Sequence, residues 1–135
     1  MKVFILEDDL DRTTFLFKWV RKYIDDKAEI FAATNYNATI QIFEKEKIFD
    51  LMLLDHDLQF RFMDSKEPET GYQVAKYIMS HGVIYDQCII HSINVDGANG
   101  MHELLPHSVC VPIFALGFKY DIIKFGKKVL EADGG

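Results

Sequence analysis

Phe49-Asp50-Leu51-Met52-Leu53-Leu54-Asp55-His56-Asp57-Leu58 is the stretch whose reading decides the fold. Leu51 to Leu54 form an unbroken apolar run, the pattern of a short strand covered on both faces in a parallel sheet. The run stops abruptly at Asp-His-Asp. Ligands bind at the carboxyl ends of the strands in an open α/β sheet, so this strand delivers two carboxylates and an imidazole to the place where a site is built. Asp55 follows directly on the buried run, and its backbone is held by it. It is the expected chemical centre, as a nucleophile toward phosphorus or as a metal ligand. Asp57, two positions on, points back to the same ion or caps the loop.

The same layout recurs on either side. Val3-Phe4-Ile5-Leu6 reads as strand one and ends in Glu7-Asp8-Asp9. Gln87 to His91 reads as strand four, with Cys88, Ile89 and Ile90 at its core, and runs into His91-Ser92-Ile93-Asn94. Ala28 to Ala33 gives strand two, and Val109 to Ala115 gives strand five, broken at Gly117.

Helical spacing fills the gaps. Leu16, Trp19, Val20 and Tyr23 follow Asp11, Thr13 and Thr14. Ile40 and Phe43 follow a cap at Asn35 or Asn37, with 44–47 as the solvated end. Glu69-Thr70-Gly71 opens a helix carrying Val74, Ala75, Ile78 and Met79, and Gly82 ends it. Val95 to Gly100 reads as a turn before a brief helix at Met101 to Leu105. A last helix carries Phe118, Ile122, Phe125 and Val129. The segment from about Gln59 to Glu69, with Phe60, Phe62 and Pro68, is long enough for a lid or binding loop.

Strand and helix thus alternate five times. This predicts a flavodoxin-like three-layer α/β sandwich, with a five-stranded parallel sheet in the order 2-1-3-4-5 and helices on both faces. With 135 residues, 49% of them hydrophobic, residues 1–135 are expected to form a single domain with a substantial core. The net charge of -6 argues against a broad nucleic-acid surface, though not against a small phosphate-bearing ligand held through a metal. Cys88 and Cys110 lie in apolar runs and read as reduced core thiols of a cytoplasmic protein. No apolar run reaches membrane-spanning length, and the amino terminus has no signal-peptide pattern.

In the 2-1-3-4-5 order, Glu7, Asp8 and Asp9 face Asp55, His56 and Asp57. Carboxylates this close take up protons or share a cation. Magnesium suits oxygen ligands and substrate phosphate; manganese or calcium also fits, and His56 or His91 shifts the balance toward manganese or zinc. Glu7 is the weakest member, expected to face away. Acidic residues after a strand also serve as caps, but two such clusters on adjacent strand ends point to a site. His91 is either a hydrogen-bonded core residue or a general acid toward a leaving alkoxide. Ser92 can donate to a phosphoryl oxygen. Asn94, with Gly97 and Gly100, offers amide donors or forms a plain turn. Arg12, Arg61 and Lys66 are the candidate phosphate-binding cations. His81, His102 and His107 read as surface or capping residues, and Lys124, Lys127 and Lys128 as a solvated face.

These residues resemble the receiver domain of two-component response regulators across nearly the whole chain. Asp8 and Asp9 match the acidic pair that holds magnesium, Asp55 the phosphoacceptor, and Ser92 the hydroxyl residue after strand four. The lysine a receiver carries at the end of strand five is missing. The chain reads Val111-Pro112-Ile113-Phe114-Ala115-Leu116-Gly117 there, and Lys119 comes late. Leu54-Asp55-His56-Asp57-Leu58, Glu69-Thr70-Gly71-Tyr72-Gln73-Val74-Ala75 and Ile90-His91-Ser92-Ile93-Asn94, with Gly97 and Met101, are together similar to the divergent cyclic-phosphate-processing receiver family. Gln73 stands where that family usually has Asp.

The resemblance implies a metal-dependent phosphoesterase acting on a cyclic phosphate at a nucleotide or RNA end. Asp8, Asp9 and Asp55 would hold Mg2+ or Mn2+; His56 or His91 would move a proton; Asp57, Ser92 and Asn94 would position substrate. The alternatives are a receiver phosphorylated on Asp55, and a binding module working through the 59–69 loop.

Overall fold

The computed structural model describes residues 1–58 and 69–117. Strands β1 (Lys2–Leu6), β2 (Glu29–Ala33), β3 (Ile48–Leu54), β4 (Ile84–Ile90) and β5 (Ser108–Cys110) alternate with helices α1 (Leu10–Trp19), α2 (Tyr36–Lys45), α3 (Gly71–Ser80) and α4 (Val95–Leu104). A π-helical turn, Val20–Ile24, continues α1, and a 3-10 turn, Ile113–Gly117, follows β5. All pairings are parallel, in the order β2-β1-β3-β4-β5. The expected sheet and its order are therefore present.

Alternation along the strands divides the core. Phe4, Leu6, Met52, Leu54, Cys88 and Ile90 pack against Phe43 of α2, Val74, Ala75 and Ile78 of α3, and Ala98 and Met101 of α4. Val3, Ile5, Leu51, Leu53 and Ile89 pack on the other face against Leu16 and Trp19 of α1.

Register decides where the site falls. Leu6 is level with Leu54, and Leu54 with Ile90. The hydrogen-bond ladder runs on past the strand ends: Glu7 N donates to Ala33 O at 3.1 Å, Asp55 N to Leu6 O at 3.1 Å, and His91 N to Leu54 O at 2.9 Å. Glu7, Asp55 and His91 are thus fixed in a row at one edge. Period-two alternation sends their side chains to the face of Ile5, Leu53 and Ile89.

Several expected boundaries move. Strand five is only Ser108–Cys110; Val111 N still donates to Ile90 O and Ile113 N to His91 O, both at 2.9 Å, as the chain coils into the 3-10 turn. The stretch expected as a turn at Val95 to Gly100 belongs to α4, which starts where the Asn94 side chain accepts from Gly97 N at 2.9 Å. Strands β3 and β4 begin earlier than their apolar cores suggest, with Ile48 and Ile84 paired and exposed at the opposite edge. Met79 is exposed rather than packed, and Thr39 is buried on α2 where Ile40 was expected. Cys110 is exposed, so only Cys88 is a core thiol; neither is in a disulfide. The 59–68 loop with Arg61 and Lys66, and the expected final helix with Lys119, lie outside the described residues. Among the described residues, no helix is long and apolar enough to cross a membrane.

Candidate active site

The acidic half of the site is built on β1 and β3. Glu7 is 1% exposed and Asp55 5%. Oxygens of Glu7, Asp8 and Asp55 all lie within 4.8 Å of one another. Two expectations change here. Glu7 turns into the cluster rather than away, as its place in the strand alternation requires. Asp9 does not join the cluster but caps α1, accepting from Arg12 N at 2.9 Å. That cap winds the first turn of α1 so that Arg12 reaches back over the carboxylates. Its Nε donates to Glu7 Oε1 at 3.0 Å, and its Nη2 to Glu7 Oε2 at 3.1 Å and Asp8 Oδ1 at 3.4 Å.

Crowding leaves a mark on the protons. Burial, then the charges of Glu7 and Asp8, push the Asp55 carboxyl up to about 7, against the pull of Arg12 and of a hydrogen bond from Ser92. Asp8 is also raised, first by burial and then by its contact with Glu7. Three carboxylate side chains whose oxygens lie within 4.8 Å of one another are a donor set for a hard divalent cation. The residues present therefore fit such an ion, with Glu7 in the place expected for Asp9.

The second half is built on the turn after β3 and the start of α4. His56 Nδ1 lies 2.7 Å from Asp57 Oδ1. Asn94 Nδ2 donates to the same Asp57 oxygen at 3.0 Å, while its Oδ1 caps α4. His56 is thereby held by an ionised partner, the Asp57 carboxyl lying below its ordinary range chiefly because of the His56 contact. Asp57 and Asn94, expected to touch substrate, spend these atoms on holding the imidazole. Ser92 lies between the halves, buried, bonded to Asp55 and accepting from Asn94 N at 3.1 Å.

Two glycines make this packing possible. Gly71 N donates to His56 O at 2.8 Å, and a Cβ at position 71 would stand 2.1 Å from Asp55 O. A Cβ at Gly97 would stand 2.4 Å from His56 Cγ. A side chain at position 71 would meet backbone and one at position 97 would have to displace the His56 ring, because the 55–56 turn is wedged against the first turns of α3 and α4. Thr70 and Gln73 set the start of α3 through a capping box, so Gln73 serves a backbone role.

His91 is 1% exposed, with Nδ1 3.8 Å from Glu7 Oε1 and no partner for Nε2. Burial, chiefly, lowers it to about 4, so the imidazole is neutral. It lines the inner wall of the acidic cluster. It is not placed to hand a proton to a solvent-borne leaving group, which corrects that expectation.

At the end of β5, Val111, Pro112 and Ile113 bring no ammonium group to the site. An open cleft of about 290 Å3 lies alongside, lined by Asp11, Arg12, Phe15, Ile113 and Phe114.

A family model described as the cyclic-phosphate processing receiver domain matches residues 1–107. The chain belongs to this family. Solved receiver domains share its fold. The signal receiver domain of a putative Luxo repressor protein from Vibrio parahaemolyticus superposes with a TM-score of 0.61 at 22% identity, covering 98% of this chain and 94% of that one. The response regulator TrrA from Thermotoga maritima, solved in complex with Mg2+ and BeF, gives 0.64 at 17% identity over 95% and 97%. The phosphorylated cyanobacterial phytochrome response regulator RcpA gives 0.64 at 18% over 94% and 91%. No curated protein was found to match the sequence. The cyclic-phosphate processing receiver fold thus carries the imidazole–carboxylate pair of His56 and Asp57 directly after Asp55.

Proposed function

We propose that this receiver-fold domain is a metal-dependent phosphoesterase that opens a cyclic phosphate on a nucleotide or at an RNA end. The observation that carries the reading is His56, held by Asp57 Oδ1 at 2.7 Å and adjoining Asp55 in the chain. A phosphoacceptor alone has no need of a carboxylate-anchored imidazole beside it. Proton transfer to and from oxygen does.

Glu7, Asp8 and Asp55 would hold a divalent cation, Mg2+ or Mn2+. When bound, it supplies a Lewis acid for the phosphoryl group and an activated water. The rest is done by the chain. With Nδ1 committed to Asp57, His56 offers Nε2 to take a proton from the attacking water. The water oxygen joins phosphorus, one ring P–O bond breaks, and the departing alkoxide takes a proton back from the same imidazole. Ser92 fixes the orientation of Asp55, and Asn94 fixes that of Asp57. The unpaired thiols Cys88 and Cys110 suit a cytoplasmic setting.

The test is turnover of 2′,3′-cyclic nucleotides with magnesium and with manganese. We expect hydrolysis that Asp55→Asn abolishes. Lack of turnover with both metals overturns the reading.

The Asp55–Ser92 pairing on this fold favours one other reading, a signalling receiver phosphorylated on Asp55. It requires an acyl phosphate after treatment with acetyl phosphate, visible as added intact mass and absent in Asp55→Asn.

A further inference from the structure

Two of the three carboxylates that would hold the cation, Glu7 and Asp8, already carry an arginine partner. Arg12 grips both oxygens of Glu7 and one of Asp8. A guanidinium on those oxygens takes up lone pairs and negative charge that a divalent ion would use, so the two cations compete there. Arg12 is also the cation that the described residues bring to this cluster, since the end of β5 supplies none. Its side chain is 44% exposed while Glu7 is 1% exposed, so the arginine reaches in from the surface and has solvent behind it. The cleft it lines with Phe15, Ile113 and Phe114 gives the guanidinium room to move without disturbing the core. The planar fork that pairs with a carboxylate pairs equally with phosphate oxygens.

We propose that Arg12 is a resident counter-ion that exchanges partners: it neutralises Glu7 and Asp8 until a divalent cation takes them, and then clamps the phosphoryl group of the incoming ligand. This rests on the proposed reading of the site as one for metal and phosphate ester. It gives the missing β5 ammonium a replacement from α1. It also makes metal and phosphate entry mutually supporting, because release of Arg12 by the one creates the anion site for the other.

The proposal predicts effects of opposite sign from one substitution. Full-length wild type, Arg12→Gln and Arg12→Lys are compared by Mn2+ titration followed by electron paramagnetic resonance. The binding of inorganic phosphate to the Mg2+-loaded proteins is then measured by calorimetry, with circular dichroism as the check of fold. Removing the competing charge is expected to tighten Mn2+ binding about fivefold or more in Arg12→Gln. The same variant, metal-loaded, is expected to bind phosphate about tenfold more weakly, with only part of the loss restored in Arg12→Lys, which keeps the charge but not the planar fork. Mn2+ binding that Arg12→Gln leaves unchanged or weakens overturns the exchange, as does unchanged phosphate binding. Absence of Mn2+ binding in both wild type and Arg12→Gln overturns the functional reading itself.

Discussion

Gly97 lies against the ring of His56, so that a Cβ at position 97 would stand 2.4 Å from Cγ and 2.5 Å from Nδ1. The first turn of α4 therefore lacks a side chain where the imidazole must lie to meet Asp57. Gly97→Ala must displace the ring, because the helix backbone is held by the Asn94 cap. The fold survives, at a cost of about 1–3 kcal/mol for overpacking. Turnover should fall by about 10²-fold or more, the scale of one acid–base group.

Gly71 gives the contrasting case. There the obstruction is backbone, Asp55 O at 2.1 Å and His56 Cα at 2.9 Å, and nothing flexible can yield. Gly71→Ala is expected to unfold or severely destabilise the protein. Thermal melts of the two alanine variants distinguish them: a modest drop for position 97, a large one for position 71.

Asp55 makes stability depend on pH in the absence of metal. Its carboxyl titrates near 7 in the folded chain, raised by burial above its unfolded value of about 3.9. A raised carboxyl binds its proton more tightly when folded, so the contribution of this group to stability is full below pH 4 and is lost as pH rises toward 7. The loss is on the order of a few kcal/mol. Asp55→Asn carries no such charge. In chelator, it should melt higher than wild type at pH 8, with a smaller margin at pH 5. Equal margins at both values would show that Asp55 is not raised.

The strand runs carried most of the fold. Leu51 to Leu54 and Val3 to Leu6 are apolar on both faces, and only a central parallel sheet uses such strands. The placement of Glu7 was also legible in principle. It sits two residues beyond Ile5, as Asp55 sits two beyond Leu53 and His91 two beyond Ile89, so parity alone gathers the three on one face. Asp9 misled because an Asp ahead of a helix serves equally as cap and as ligand, and the sequence shows no difference. The grip of Arg12 on Glu7 depends on the entry angle of α1, which no residue pattern encodes. Gly97 read as a turn former because its real constraint, a ring from another element, is a tertiary contact.

His91 offers a direct check of the buried acid wall. Its imidazole is lowered to about 4, against an ordinary 6.5, chiefly by burial. A lowered base contributes stability above pH 6.5 that is lost as pH falls toward 4. Its ring carbon and nitrogen resonances should therefore stay in the neutral form at pH 5.5. An imidazolium signal for His91 at pH 6 would contradict its placement.

Asp57 separates the two halves of the site. It is not among the clustered oxygens of Glu7, Asp8 and Asp55, and its Oδ1 holds His56 and accepts from Asn94. Asp57→Asn keeps the size of the side chain but removes the charge, and can turn an amide N–H toward Nδ1 in place of an acceptor. The imidazole is then held in the wrong tautomer or released. If His56 moves the proton, kcat should fall by about 10²–10⁴-fold, as when other anchored imidazoles lose their carboxylate. Mn2+ affinity should stay within about twofold, because the exposed Asp57 adds little to the field at the cation. A phosphoacceptor mechanism predicts otherwise, since Asp55 would accept phosphate without help from His56. Measuring turnover, Mn2+ affinity and acetyl-phosphate labelling on this one variant therefore decides which half of the site does the chemistry.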